Sequence, residues 1–345
     1  MAKVLLFLLL YQVFLAFLLT YSYLCRVNSI QVTIYERADK LPELSGDNFF
    51  HSPQLMQLCQ QTPRQKPLMA VATADDGHVV GHLLGITRYR VSWLPPYLYT
   101  HIRIYGNNHC DAHVFKLLME ALTERLNSHV LYIEVSNLSE KMFAYREMKQ
   151  LGYFPVRWMN IHNSLHSRTP EERISSRQMH RIELAQQRGA FTKEVETEAE
   201  FQAFSRLLRR HNLLKPRRYI PADSFFKGMM QEGHGKIFIT LVRERVIGCA
   251  VCAYSEGDAY LWYSASLRKS FIPYHPNAVT FWHTICDAHE LGYSHIRFLD
   301  VGLPFRHNPY RDFILRFGGK EVSAYRWFRI SIRWVNRLAA WLWRE

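Results

Sequence analysis

Hydrophobic and polar positions change their period in a fixed order along the stretch from Val246 to Lys320. Two β-rich runs, VIGCAVCAY and AYLWYSASL, come first, and a loop with prolines separates them from a helix-like segment over Asn277 to Glu290. The run IRFLDVG is typical of a strand, and a short helix ends at Gly318 and Gly319. The pattern therefore predicts the order strand, strand, helix, strand, helix.

The same order of elements occurs earlier in the chain, in the runs HVVGHLLGITRYR, IYGNNHCDAHVFKLLMEALTERL, VLYIEVSN and MFAYREMKQLGYFPV. Four landmarks recur at a nearly constant offset of 166 to 169 residues. They are the pairs Gly81 and Gly248, Asn108 and Asn277, Val135 and Val301, and Gly152 and Gly318. Such an offset predicts an internal duplication that produces two sister domains. Two unrelated α/β units with ordinary glycines are the alternative.

These runs occur together with FHSP at Phe50 to Pro53, a PN dipeptide before the second helix, LDVG after a strand and a closing FGG. In this the chain resembles the Fem-type peptidyltransferases that build peptidoglycan bridges, and their acetyltransferase relatives, from about Ile30 to Val322. The resemblance implies an α/β (α+β) fold with two GNAT-like domains, each a mixed twisted sheet flanked by helices. It also implies an N-acyltransferase, which moves an acyl or aminoacyl group from a thioester or an aminoacyl-tRNA to an amine.

We expect four segments: a hydrophobic N-terminal helix at 1–28, a first GNAT-like domain at 29–165, a linking helix at 166–190, and a second domain with an amphipathic tail at 191–345. Val4 to Cys25 includes no charged side chain and is long enough to cross a membrane. A membrane anchor is the expectation, and a cleaved signal peptide or an early start codon is the alternative. Thioester donors and charged tRNA are cytosolic, so the catalytic domains of an anchored enzyme would face the cytoplasm.

The chain has 43 basic and 30 acidic side chains, a formal net charge of +13, and 48% hydrophobic residues in 345. This hydrophobic content is enough for a large core, which excludes a disordered protein. The positive charge suits an anionic partner, such as a phosphorylated donor, tRNA, an anionic lipid or a nucleotide-linked substrate. Charge alone does not choose among these partners.

The cysteines and histidines do not form a metal-binding motif. Cys249 and Cys252 form the sequence CAVC, but positions i and i+3 of a strand face opposite sides, so we predict two buried thiols. The 17 histidines show no HExxH or comparable spacing, and no metal is expected. The sequences GxxxxGK[ST], GxSxG and GxGxxG are also missing, which excludes the commonest nucleotide-hydrolysing, serine-hydrolase and dinucleotide-binding classes.

The resemblance implies a donor site at the start of the second predicted helix. The end of the preceding strand would line the donor's arm, and backbone N–H groups at the helix start would hold its phosphates. The implied donor-binding residues are Ser264, Ala265, Ser266, His275, Pro276, Asn277, Ala278 and Val279. The glycine-rich RxxGxG loop of many GNAT enzymes is missing here, so acyl-CoA and aminoacyl-tRNA both remain as donors.

Acyl transfer requires an amine that attacks a carbonyl, N–H groups that stabilise the oxyanion, and a base that removes a proton. The candidate catalytic residues are Asp300 and Tyr310. Many GNAT enzymes have a tyrosine four residues before the closing glycine, but those positions are Met148 and Ile314 in this chain. The alternative function is therefore a catalytically silent protein that binds a nucleotide-linked ligand or tRNA.

Basic and aromatic positions are candidates for binding the acceptor, which the resemblance implies is an amine of a cell-wall precursor or a small molecule. These candidates are Arg217, Arg218, Tyr219, Arg306 and Arg311. The aromatic, proline-rich run VSWLPPYLYTHIRIYG is predicted to be a loop that lines an acceptor groove or packs between the domains.

Two helical segments have basic or amphipathic faces. The linking helix places Arg177, Arg181 and Arg188 broadly on one side, as a solvated face or as a phosphate or tRNA contact. The tail places Trp334, Leu338 and Trp341 at helical spacing, which suits either a membrane interface or packing on the domain itself.

Overall fold

The structure is a computed structural model that describes residues 30–90, 97–103, 110–127, 129–136, 141–213, 219–299, 301–304 and 307–343. The strands are β1 (Gln31–Tyr35), β2 (Gln65–Thr73), β3 (Val79–Arg90), β4 (Tyr97–Arg103), β5 (Tyr132–Ser136), β6 (Phe154–Ser164), β7 (Phe191–Glu194), β8 (Gly235–Val242), β9 (Arg245–Ser255), β10 (Asp258–Ser266), β11 (His295–Phe298) and β12 (Lys320–Ile330). The helices are α1 (Pro53–Gln60), α2 (Ala112–Leu126), α3 (Tyr145–Gln150), α4 (Pro170–Arg173), α5 (Ser176–Gln187), α6 (Glu198–Asn212), α7 (Asp223–Gln231), α8 (Pro276–Glu290), α9 (Pro309–Leu315) and α10 (Arg333–Leu342).

The predicted order of strand, strand, helix, strand, helix is confirmed in both halves. In the first half it is β3, β4, α2, β5 and α3, and in the second half it is β9, β10, α8, β11 and α9. The strands before each long helix pair antiparallel, and the strands on either side of it, β4 with β5 and β10 with β11, pair parallel. The fold is therefore a mixed α/β fold.

The strands form one sheet rather than the two sheets that we predicted. Their order is β1-β2-β3-β4-β5-β12-β6-β11-β10-β9-β8-β7. The last strand of each half is exchanged, because β12 pairs with β5 of the first half and β6 pairs with β11 of the second half. β6 and β12 also pair with each other, so they join the two half-sheets into a continuous one.

Equivalent glycines allow the long helix of each half to lie close to the sheet. A Cβ atom added to Gly81 would lie 2.9 Å from Cβ of Cys110, just before α2, and one added to Gly248 would lie 2.5 Å from Oγ1 of Thr280 in α8. Such distances are too short for real side chains, so both positions require glycine for close packing. This agrees with the predicted repeat, while the duplication itself stays a prediction.

Three hydrophobic clusters fill the space between the sheet and the helices. One lies between the first half of the sheet and α2, and another lies between the second half and α8. The third includes side chains from both halves, among them Phe50, Leu84 and Trp262. Cys249 and Cys252 belong to different clusters on opposite faces of β9, as predicted, and burial raises the pKa of both thiols to about 12.

The prediction that VSWLPPYLYTHIRIYG forms a loop was wrong for its central part, because residues 97–103 form β4. The two prolines favour a loop, but the residues that follow them are mostly aromatic and β-branched, and they alternate as in a strand. The predicted membrane segment from Val4 to Cys25 lies outside the described residues. In the part of the chain that the structure describes, no helix is both long and apolar enough to cross a membrane.

The tail forms a strand and then a helix, as its pattern predicts. α10 buries none of its residues, and Trp334, Leu338 and Trp341 are 70%, 49% and 59% exposed. Nδ2 of Asn336 donates a hydrogen bond to the carbonyl of Gly152, which ties the helix to the end of the sheet. The apolar stripe therefore faces outward rather than into the domain.

Candidate donor and acceptor site

β10 continues beyond the end of its parallel partner β11. The pairing between these strands ends at Leu261 and Phe298, and β10 then runs to Ser266 while it stays paired with β9. The register between β9 and β10 shifts between Leu261 and Tyr263, which is the position of a β-bulge. From Trp262 onward β10 thus continues beyond the end of β11, and we call this end of the strand the opening.

The predicted donor residues on β10 lie at the opening. Ala265 is buried in the central cluster, while Ser264 and Ser266 are half-buried and face the opposite side of the strand. Half of the main-chain N–H and C=O groups of a strand point to each neighbour, so half of those between Trp262 and Ser266 point to the side on which β11 lies. Their donor-binding role stays a prediction, and it depends on the main chain of this strand end.

The start of α8 has few unused N–H groups. His275 has the left-handed backbone conformation, with φ of 38°, and no side chain caps the helix. The N–H groups of Ala278 and Val279 both donate to the carbonyl of His275, and Pro276 has no N–H. Among the predicted donor-binding residues of this first helical turn, Asn277 is thus the one whose N–H has no hydrogen-bond partner within the described chain. The helix start alone does not form a cradle for a pyrophosphate.

Arginines of α5 and its C-terminal end add positive charge beside this helix start. Nη1 of Arg188 donates a hydrogen bond of 2.8 Å to a carbonyl of the loop before α8. Burial, and then the charges of Arg181 and Arg188, lower the pKa of His275, so the imidazole is neutral at pH 7. Burial and the nearby Arg177 and Arg316 likewise lower the pKa of Arg181. The linking helix therefore brings its arginines to the predicted phosphate site.

A second cationic surface lies between α6 and the start of β9. It is a groove of about 700 Å³, and Leu267, which directly follows β10, forms part of its wall. The charged residues that line it are Arg206, Arg209, Arg210, Arg245 and Glu244. Arg209 pairs with Asp223, and the other three arginines of the lining share the groove with one carboxylate, so the groove favours an anionic ligand.

The predicted catalytic pair of Asp300 and Tyr310 stays a prediction, because one of the two residues lies outside the described part of the chain. Asp300 lies outside this part, as do the acceptor candidates Arg217, Arg218 and Arg306. Tyr310 packs edge-on against Phe281 of α8, with 6.2 Å between the ring centroids. Met148 and Ile314, which occupy the positions of the usual GNAT tyrosine, are fully buried.

The remaining acceptor candidates have different surroundings. Arg311 is buried, its Nε lies 3.0 Å from Oε1 of Glu321, and its Nη1 donates to the carbonyl of Leu303. It therefore fastens α9 to β12. Tyr219 lies instead under the guanidinium of Arg88, with 4.8 Å from Cζ to the ring centroid.

Sequence reasoning missed Arg88, although the sequence contains a signal for it. In the run GITRYR of β3, Arg88 has the same parity as the buried Ile86, so it faces the core, while Tyr89 between Arg88 and Arg90 is 39% exposed. An arginine at an inward position of a strand is unusual, because charged side chains are rarely buried unless they are paired.

Residues 175–310 match the family model described as an acetyltransferase (GNAT) domain. This segment includes the opening at the end of β10 and the start of α8. No curated protein matches the sequence.

Solved structures are similar over most of the chain. The crystal structure of FemX has 12% identity and a TM-score of 0.59, over 86% of this chain and 96% of that chain. The C-terminal domain of a putative lysylphosphatidylglycerol synthetase from Agrobacterium fabrum has 10% identity and a TM-score of 0.56, over 86% and 91% of the two chains. A tandem GNAT protein from the clavulanic acid biosynthesis pathway has 10% identity and a TM-score of 0.51, over 88% and 99%.

At these identities the likeness is one of fold. The family model and the structural neighbours agree with the resemblance that the sequence motifs indicate. The match assigns residues 175–310 to a GNAT domain, and the chain as a whole has a fold similar to that of FemX.

Proposed function

We propose that the chain is an N-acyltransferase that moves an acyl or aminoacyl group from an activated donor to an amine. One observation supports this most directly: β10 continues beyond the end of β11 next to the cationic start of α8, inside the segment that matches the GNAT domain. A donor arm paired with the main chain at this opening would place its carbonyl near the bulge. Main-chain N–H groups there would stabilise the oxyanion, and alignment of the two substrates would supply much of the rate.

We favour an aminoacyl-tRNA over acyl-CoA as the donor. The start of α8 offers the single N–H of Asn277 rather than several for a pyrophosphate, whereas arginines lie beside this helix start and also line the groove between α6 and the start of β9. Two extended cationic surfaces suit a large polyanion better than a single small cofactor. One structural neighbour is named as a lysylphosphatidylglycerol synthetase, and its name describes aminoacyl transfer to a lipid.

The donor is tested by adding labelled aminoacyl-tRNA, acetyl-CoA or free coenzyme A to the purified full chain and measuring binding and transfer of the label to amines. We expect saturable binding of charged tRNA, and about 100-fold weaker binding for the double variant Arg181→Glu/Arg188→Glu at low salt. The matched control is Arg125→Glu on α2, an exposed arginine that pairs with Glu36. Tight binding of coenzyme A without any response to tRNA would assign the donor to acyl-CoA instead.

A catalytically silent binding protein is the second candidate function. It is favoured by the burial of Met148 and Ile314, which leaves no tyrosine at the usual position of the leaving-group acid. In that case the same experiment gives donor binding, but no label leaves the donor in a single turnover, whichever amine is added.

We also propose that the enzyme acts at a membrane surface, where the acceptor is an amine of an envelope precursor. The outward Trp334, Leu338 and Trp341 of α10, with Arg333 and Arg337 beside them, form the kind of helix that lies at a lipid interface. The apolar run at residues 4–25 would hold the chain at the same surface.

Spin labels separate the contribution of α10 from that of the N-terminal run. A nitroxide at Leu338→Cys should become accessible to oxygen dissolved in anionic phospholipid vesicles, whereas one at Arg337→Cys should stay accessible to a water-soluble nickel complex. If both labels remain in water while the full chain is bound to vesicles, α10 does not contact the membrane.

A further inference from the structure

Three arginines lie on one face of the sheet, where the two halves meet. They are Arg88 in β3, Arg103 in β4 and Arg326 in β12, and we call them the arginine cluster. Arg88 stands opposite Tyr99, which has the same parity as Arg103, so both arginines share a face. Burial, and then the charges of all three arginines, lower the pKa of His101 well below its usual value. The arginines are therefore close enough to act on one imidazole.

The cluster has more positive charge than its protein partners balance. Arg326 pairs with Glu134, with 3.0 Å between Nη1 and Oε1. In the described part of the chain, no carboxylate pairs with Arg88 or Arg103, although Arg88 is only 3% exposed. Among the described residues, Nε of Arg88 and Nη1 of Arg103 are buried without a hydrogen-bond partner. A buried guanidinium with unused N–H groups is strongly unfavourable, so an anion beyond the described carboxylates would complete the cluster.

Each arginine of the cluster lies over an aromatic ring, with 4.0 to 5.3 Å from Cζ to the ring centroid. The pairs are Arg88 with Tyr219, Arg103 with Trp262, and Arg326 with Trp158. Stacking fixes the plane of a guanidinium and leaves its N–H edge free for an oxyanion. The cluster is thus organised for a ligand before the ligand arrives.

We propose that the arginine cluster binds an oxyanion, a phosphate or a carboxylate, of the acceptor. Trp262 is the first residue of β10 beyond its pairing with β11, so Arg103 borders the opening in which the donor carbonyl would lie. The charge of the arginines also lowers the pKa of an amine held beside the anion, which favours the neutral, nucleophilic amine. The assignment to the acceptor rests on the proposed transfer function, while the anion site stands on the contacts of the cluster itself.

The site is tested by the thermal stability of the full chain in pyrophosphate, as a phosphate probe, and in citrate, as a carboxylate probe. We expect at least one of them to raise Tm saturably, and the one that does identifies the oxyanion. Arg88→Met should abolish this rise. Without an anion, Arg88→Met should be at least as stable as the natural chain, because an apolar side chain replaces an uncompensated buried charge.

The matched control is Arg329→Met. Arg329 lies three residues after Arg326 in β12, so its side chain is on the opposite face of the sheet, where its Nη1 donates a hydrogen bond to Oδ1 of Asn127. This control should lose stability and keep its response to the anion. If Arg88→Met does not fold, Arg88→Lys and Arg103→Met replace it, and each should bind the anion at least tenfold more weakly.

The proposal is overturned if the natural chain does not respond to either anion, if the Arg88 and Arg103 variants keep the natural affinity, or if Arg329→Met loses the response too. No donor is present in this experiment. A failure here is therefore distinct from a failure to observe acyl transfer.

Discussion

The two halves of the molecule have the same order of elements, but they differ at the ends of equivalent strands. In the second half, β10 leaves β11 after Leu261 and continues with β9 alone as its paired neighbour. In the first half, β4 and β5 are still paired at Arg103 and Ser136, the last residues of both strands. The described residues thus show β10 continuing beyond its parallel partner in the second half, while in the first half they show the parallel pair as far as Arg103 and Ser136.

The helices α2 and α8 also differ, because the start of α2 is capped by a side chain and the start of α8 is not. Asp111 caps α2, and its carboxylate accepts hydrogen bonds from the N–H groups of His113 and Val114. α8 has no side-chain cap and has arginines beside its start. A strand end without a parallel partner and a cationic helix start thus occur together in the second half, while in the first half the helix start is capped and β3 and β4 present arginines to the shared face. Under the proposed function, equivalent positions of the two halves would suit different ligands.

The largest effect is expected from acid, which should lower the free energy of unfolding through histidines in both halves of the sheet. Burial, and then Arg297, lower the pKa of His162 to about 4, and His295 and Asp258 are its other charged neighbours. Because this pKa is below the unfolded value of about 6.5, the stabilisation is complete above pH 6.5 and is lost as the pH falls toward 4. Unfolding in urea should show a free energy about 3 kcal/mol lower at pH 4 than at pH 7 from this residue, with a further loss from His101.

The variant His162→Gln is the control for the acid effect. It should show a smaller difference in unfolding free energy between pH 7 and pH 4 than the natural chain. An unchanged difference would mean that other groups cause the acid sensitivity.

Two matched glycine variants disturb the halves separately. Gly81→Ala and Gly248→Ala should each lower the free energy of unfolding by about 2 kcal/mol, because the new Cβ atom overlaps Cβ of Cys110 or Oγ1 of Thr280. Only Gly248→Ala should also weaken donor binding, since Thr280 lies in the second turn of α8. If both variants bind the donor equally badly, the first half takes part in donor binding and the comparison fails.

Two variants of one residue sharpen the contrast between the helix starts. His275→Asp and His275→Asn both tolerate the left-handed conformation, and they differ by one charge. The aspartate variant should bind an anionic donor about tenfold more weakly than the asparagine variant, with no loss of thermal stability. Calorimetric titration at low salt measures the difference, and equal affinities would place the donor phosphates elsewhere.

The smallest effect is expected at the other helix. Asp111→Ala should cost about 1 kcal/mol of stability, because two N–H groups of α2 lose their acceptor. Donor binding should stay unchanged in this variant. Weaker donor binding, measured in the same titration, would show that the capped helix start is not inert.

Local pattern predicted most of the elements but not their neighbours in the sheet. The long helix of the second half and the strand and helix of the tail follow directly from their periods. The period of a strand does not identify the strands beside it, so the exchange of β6 and β12 could not be predicted. β4 was missed because the prolines before Tyr97 conceal a short alternating run.

The position in the fold of the candidate donor residues could be predicted where it depends on the main chain, while their role stays a prediction. Ser264 to Ser266 and the start of α8 lie beside the opening, because the order of elements alone determines their place. Side-chain roles were harder to predict, and Arg311, an acceptor candidate, contacts Glu321 as part of the fold. Arg88 shows that alternation along a strand can reveal a buried charged side chain that neither composition nor motifs indicate.

The exchanged strands also affect the way in which the chain is made. The edge of β5 pairs with β12, which begins at Lys320, so almost the whole polypeptide must leave the ribosome before the first half is complete. Until then a bare strand edge is exposed, and such edges favour association with other chains. Pulse-labelled chains should therefore gain resistance to protease late, when the last strand closes both halves together.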